Sequence, residues 1–312
     1  MTQTPDAGRD LRLDPDSLAG EYFRDAVAAH WDPNGVTGLA ADREKLVGDA
    51  DLTAAEFEEL RTAIARFGAG GTAVTTDLLG LGLVLEDTDD TLFLSSQLYE
   101  AARHARFFDR YWREVVDPTA AERGFERTTP SDGRYRNDHY RAIGEQTAAA
   151  MRDLRTAATP ANRARAYCHY HVAVESVLAQ TGYYGIEATF SPAGSDDVAK
   201  RAFPHLEGLV TGVRQVRTDE GRHVGFGMQQ LRHLVHDRGV SEAVVRETLQ
   251  DLLPHVAGTV NDFEHAVNPV PLVTDARDRL TRRIDVITDA DADLPDVATL
   301  VSEVDDTGAT AD

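Results

Sequence analysis

Apolar residues recur along this chain at helical spacing, and alternating runs of β-branched residues are scarce, which restricts the fold to an all-α one. A first helix is predicted over about 17–31, started by Asp14-Pro15-Asp16 and stopped by Asp32-Pro33. A second begins near Thr53, where Thr53-Ala54-Ala55-Glu56 fits a capping box, and continues across Gly70 and Gly71 to about Val84. Further helices are expected over about 91–116, 136–156, 161–188, 196–237, 241–267 and 273–288. Residues 1–14 read as a flexible N-terminus and 15–288 as a single helical domain. Residues 289–312 are acidic, rich in small residues and free of aromatics, the composition of a disordered tail.

The chain has 312 residues, enough for a sizeable core, and carries 53 acidic against 32 basic residues for a net charge of -21. Its only lysines are Lys45 and Lys200. An acidic, lysine-poor surface suits a halophilic source, although a genome rich in Arg, Ala, Asp and Gly codons gives the same composition. The acidity argues against nucleic acid or an anionic membrane as partner. No apolar run approaches the roughly 18 residues of a membrane span, and no signal-peptide core follows Met1, so a cytoplasmic protein is expected. The single cysteine, Cys168, excludes an internal disulfide and a cysteine-rich metal site.

Two segments echo each other inside these helices: Glu100-Ala101-Ala102-Arg103-His104 and Thr218-Asp219-Glu220-Gly221-Arg222-His223. Glu220 and His223 are one turn apart on one face, the Glu-x-x-His spacing by which helical bundles present metal ligands. The upstream copy lacks that acid, because Ala101 stands three residues before His104. A third segment, Tyr170-His171-Val172-Ala173-Val174-Glu175, sets a carboxylate among apolar residues, which is costly without a partner such as a metal or the Glu220/His223 pair. Taken singly, Glu220 with His223 also reads as a solvated helix face, Glu175 as an exposed carboxylate and His104 as a packed histidine.

These segments, with Ala73-Val74-Thr75-Thr76-Asp77-Leu78-Leu79, Phe107-Phe108 and Thr181-Gly182-Tyr183-Tyr184, resemble the ribonucleotide reductase small-subunit superfamily. Within it the chain is most similar to the ligand-binding oxidases, which hold a long-chain lipid beside a Mn/Fe or diiron centre. The resemblance runs from about Phe67 to Gly227 and implies a ferritin-like helical bundle with additional flanking helices. Carried over by position, it implies Glu175, Glu220 and His223 as ligands of one metal and His104 as a ligand of the other. It makes Val74 and Tyr170 the partners of a tyrosine–valine ether crosslink. It also implies a lipid channel walled by Leu78, Leu79, Val174, Leu178 and Tyr183, positions that otherwise read as bundle core. The implied cofactors are Fe and/or Mn, as one or two ions, with a long-chain fatty acid as the small apolar ligand. The implied assembly is a homodimer.

Two departures bear on that site. The family's ligand glutamate on the second helix falls on Gly71, and the carboxylate that bridges both metals falls on Ala101. A divalent pair left with only Glu175 and Glu220 would carry excess positive charge in a low-dielectric site. The trio Glu175, Glu220 and His223 still suits a single Fe, Mn or Zn ion, and Glu100 is placed to substitute. Reductase activity is disfavoured: Phe108 stands where the common radical tyrosine lies, no Tyr follows Tyr184 and no Trp follows Trp112. The sequence therefore points to a metal-dependent oxidoreductase with an altered site, of one ion or two, that activates dioxygen beside Tyr170. The alternative is a metal-poor ferritin-like bundle that binds a lipid or a partner protein.

Overall fold

The computed structural model describes residues 13–302, leaving aside the side chains of 71–76 and 302. In chain order its helices are α1 (Leu18–Ala28), α2 (Leu39–Gly48), α3 (Ala54–Asp77), α4 (Leu79–Gly82), α5 (Thr88–Tyr111), α6 (Asp117–Arg123) and α7 (Asp138–Asp153). They continue as α8 (Pro160–Tyr167), α9 (Gln180–Phe190), α10 (Glu207–His236), α11 (Glu242–Val260), α12 (Pro269–Thr288) and α13 (Val297–Ser302). Trp112–Val116 and Cys168–Ala179 are wound as π-helix, so α5 runs on into α6 and α8 into α9 as single rods. The described residues form no strand beyond an isolated bridge between Ala199 and Val267, in keeping with the all-α expectation. No described helix is long and apolar enough to cross a membrane.

Capping side chains set the helix starts. The box at Thr53 forms: Thr53 Oγ1 accepts from the Glu56 amide at 3.2 Å, and Glu56 Oε2 accepts from the Thr53 amide at 2.8 Å. Asp87 caps α5 by accepting from the amide of Asp89 at 2.8 Å. Pro118 falls in the first turn of α6, where a missing N–H costs nothing, so the rod continues past its predicted stop at Val116. The helix predicted from residue 196 starts only at Glu207, after a segment carrying Pro192, Gly194 and Pro204. α2 was not anticipated.

α10 lies at the centre, packed against α5, α9, α12 and the π-helical rod, while α3 lies along α5. Close packing needs glycine on α10: a Cβ at Gly212 would overlap the Phe107 ring, and one at Gly227 would overlap His171. The segment 289–312, read as a disordered tail, is described as far as residue 302 and there carries α13 against α10. Leu300 is buried and its carbonyl accepts from Arg283 at 3.1 Å. Val297 and Val301 lie over Gly221, so this apolar turn has a surface to cover.

Candidate functional site

The polar cluster of the bundle is assembled from three rods and two flanking aromatics. α5 supplies Gln97, Glu100, Arg103 and His104, the π-helix supplies Tyr170, His171 and Glu175, and α10 supplies Asp219, Glu220, Arg222 and His223, all buried. A π-helix closes i→i+5 hydrogen bonds, which puts residues five apart on one face. The Tyr170 hydroxyl accordingly donates to Glu175 Oε1 at 2.8 Å. Tyr183 on α9 donates to Glu220 Oε1 at 2.7 Å.

His223 joins the rods. Its Nδ1 lies 3.1 Å from Glu175 Oε1 and its Nε2 lies 2.8 Å from Glu100 Oε2. A ring that faces a carboxylate oxygen through each nitrogen donates through both, so it is an imidazolium. Burial works against this charge, but Glu175 and Glu100 raise the His223 pKa to about 10. Arg222 donates to Glu100 Oε1 at 2.5 Å and Asp219 Oδ1 at 2.7 Å. Arg103 donates to Asp219 Oδ2 at 2.8 Å and stacks over Trp31. The Trp31 indole and His104 Nε2 also donate to that oxygen, at 2.8 and 2.9 Å.

The charges in this cluster close among themselves. Burial opposes ionisation of Glu175, but His223 beside it more than offsets that and holds its carboxyl below the usual range. Burial likewise opposes ionisation at Asp219, and the hydrogen bond from His104 with the charge of Arg103 holds its carboxyl well down. Glu220 goes the other way: burial first, then the Glu175 carboxylate, push its carboxyl well above the usual range. Glu100, Glu175 and Asp219 are then matched by Arg103, Arg222 and His223.

Beside this network lies a cavity of about 150 Å³. Its inner end is formed by His104, Tyr170, Glu175, Tyr183 and Glu220, and its walls by apolar side chains such as Phe67, Phe108, Val174, Leu178 and Ile186. It follows α3 from Glu59 to Gly70, a span of about 16 Å at helical rise. Phe263 and Leu272 also line it.

The structure brings together most of the residues singled out from the sequence. Glu175 and His223 are in contact, Glu220 and His104 face the same cavity, and Tyr170, Val174, Leu178 and Tyr183 line it. Two wall residues are misplaced: Leu78 packs in the core with Leu81 and Leu85, away from the cavity, and Leu79 is 52% exposed. Val74, expected opposite Tyr170, lies outside the described side chains. Sequence reasoning missed Asp219, Arg103, Arg222 and Trp31. The signal was present in the repeated Arg-His dipeptide, whose arginines hold the network as its histidines do.

The residues present do not fit a dinuclear metal centre. Positions 71 and 101 bring no donor atom, and Glu100, the carboxylate nearest to a substitute, is bonded by Arg222, Arg103 and His223. Among the described residues no group of three or more His, Cys, Asp or Glu side chains is gathered as a cation site.

No protein-family model matches the chain. Solved structures do. An R2-like ligand-binding oxidase mutant with an anaerobically reconstituted Mn/Fe cofactor superposes with a TM-score of 0.74 at 24% identity, covering 89% of this chain and 95% of that one. The fold is theirs. A second mutant of such an oxidase, reconstituted aerobically with Mn/Fe, gives a TM-score of 0.73 at 23% identity over 88% of this chain and 98% of its own. A third, with a non-activated Mn/Mn cofactor, gives 0.69 at 24% identity over 88% and 93%.

Proposed function

We propose that this chain is an apolar-ligand-binding member of the ferritin-like bundles, in which an ion-pair network stands where the similar oxidases carry two metals. The observation that carries this reading is the pairing of an alkyl-lined cavity of about 150 Å³ with a neighbouring carboxylate cluster already neutralised by Arg103, Arg222 and His223. A cavity of this size with apolar walls is favourable for an apolar guest. The ligand class is an alkyl chain, a fatty acid being the one the sequence resemblance implied.

The test is solvent extraction and native mass spectrometry of the purified chain, with elemental analysis of the same sample. An alkyl compound bound one to one is expected, with metal well below stoichiometric. Leu178→Trp, which fills the cavity, removes the ligand. A chain that binds no alkyl compound at all refutes the reading.

A second reading, a mononuclear metal-dependent oxidoreductase, is favoured by one distance. Two donors about 2.1 Å from one ion sit roughly 3.0–3.4 Å apart, and Glu175 Oε1 and His223 Nδ1 are separated by 3.1 Å. Glu220 Oε2, buried and without a hydrogen-bond partner, belongs to a residue that lines the same cavity as Glu175 and offers a further donor. In that case elemental analysis finds near one equivalent of Fe, Mn or Zn, and Glu220→Ala lowers it.

A further inference from the structure

The cavity's own polar groups discriminate between ligand heads. Arg103, Arg222 and His223 do not line it; they lie behind the carboxylates, committed to Glu100, Asp219 and Glu175. A head group at the inner end therefore meets Glu175 and Glu220 with no guanidinium on its own side. Among the described residues the one arginine or lysine along the walls, Arg66, is already engaged. Its Nε donates to the Tyr135 carbonyl at 2.7 Å, its Nη1 to the Thr259 carbonyl at 3.1 Å, and its Nη2 pairs with Asp262.

Most polar atoms on the walls are equally committed. Thr181 donates to Asp275, Thr189 to the Gly185 carbonyl, Tyr140 to the Arg66 carbonyl, and Glu59 accepts from the amides of Glu264, His265 and Ala266. Among the described residues, Glu220 Oε2 is the buried side-chain atom without a hydrogen-bond partner that belongs to a cavity-lining residue. Glu220 is only 7% exposed. A buried polar atom of this kind calls for a partner that the protein does not supply.

We propose that the cavity takes an uncharged amphiphile, an alkyl chain laid along α3 and α9 with a hydroxyl head hydrogen-bonded to Glu220 Oε2. A hydroxyl can both donate and accept, so it suits the Glu220 carboxyl whichever role Oε2 takes. A carboxylate head would find no cation on its own side of the pocket, and an ammonium would bring three donors to a single open partner, each losing its hydration in a low-dielectric site. This inference rests on the reading of the cavity as the ligand site.

The experiment is titration of the full-length chain with octan-1-ol, octanoate and octylamine, followed by native mass spectrometry. Octan-1-ol is expected to bind one to one and at least about tenfold more tightly than either charged homologue. In Glu220→Leu the alkyl chain still binds but the three affinities converge. Octanoate or octylamine binding as tightly as octan-1-ol overturns the head assignment while leaving the alkyl cavity standing. Failure of all three to bind overturns the cavity reading with it. Because the comparison of heads is made on the unmutated protein, it does not depend on the folding of any variant.

Discussion

Tyr170 reaches Glu175, five residues further on, with 2.8 Å between its hydroxyl and Oε1, because the rod that carries both is wound as a π-helix. With α-helical winding the two would diverge around the rod, and Glu175 would lose a donor it cannot replace from water. The wide turn also presents His171 and Glu175 to α5, where the Gln97 amide lies 3.3 Å from His171 Nε2 and 3.4 Å from both Glu175 oxygens.

Tyr170→Phe removes that donor and nothing else of comparable size. The buried carboxylate keeps His223, so the loss is that of one hydrogen bond to a charged group, about 1.5–3 kcal/mol. Urea unfolding should show a lower midpoint with an unchanged slope. A midpoint equal to that of the parent would mean that the phenol contributes nothing at this position.

Arg222 and Glu100 make the tightest pair of the network, at 2.5 Å with both side chains buried. Removing one partner of a buried pair strands the other, so Arg222→Met should cost about 3–5 kcal/mol. Combining it with Glu100→Met removes the stranded charge, and the double variant should recover part of the loss. Strict additivity of the two single effects in a double-mutant cycle would contradict the coupling.

How much of this was legible in the sequence differs from element to element. Helix starts with side-chain caps, such as the Thr53/Glu56 box, could be read because their chemistry is local. The convergence of Glu175 with His223 was also anticipated, since an acid within an apolar run demands a partner. The π-winding was not legible, because no local spacing announces it; in the fold the rod packs on α10, where Gly227 leaves room for His171. The roles of Arg103 and Arg222 were hidden for a related reason. A surface i,i+3 pair and a buried one have the same spacing, and only the third dimension shows that these two guanidiniums occupy the interior.

Acid should loosen the fold through His171. Burial lowers its pKa from the ordinary 6.5 to about 4, against the pull of Glu175, while the nearby charge of His223 adds to the lowering. Below 6.5 the unfolded chain takes up a proton that the folded chain refuses until about pH 4, so stability is full above that window and falls through it as pH drops. The contribution is roughly 3 kcal/mol at its limit. Thermal melts across this range should show a shallower acid limb in His171→Phe than in the parent, and parallel limbs would rule out this histidine as a source of acid lability.

The departures at 71 and 101 can be reversed. Glutamates placed there together would return the carboxylates that the resembled centres use, at the inner end of the cavity where Ala101 now lies. Two divalent ions need that negative charge, since Glu100 is committed to Arg103, Arg222 and His223. Reconstitution of Gly71→Glu/Ala101→Glu with Mn and Fe should raise bound metal, by elemental analysis, from well under one equivalent to about one or more per chain. The same change should displace alkyl ligands, because the new side chains occupy their space. A parent protein that already takes up both ions under these conditions would mean that the arginine and histidine cations yield to metal, and the ion-pair network would then be the resting form of a metal site rather than its replacement.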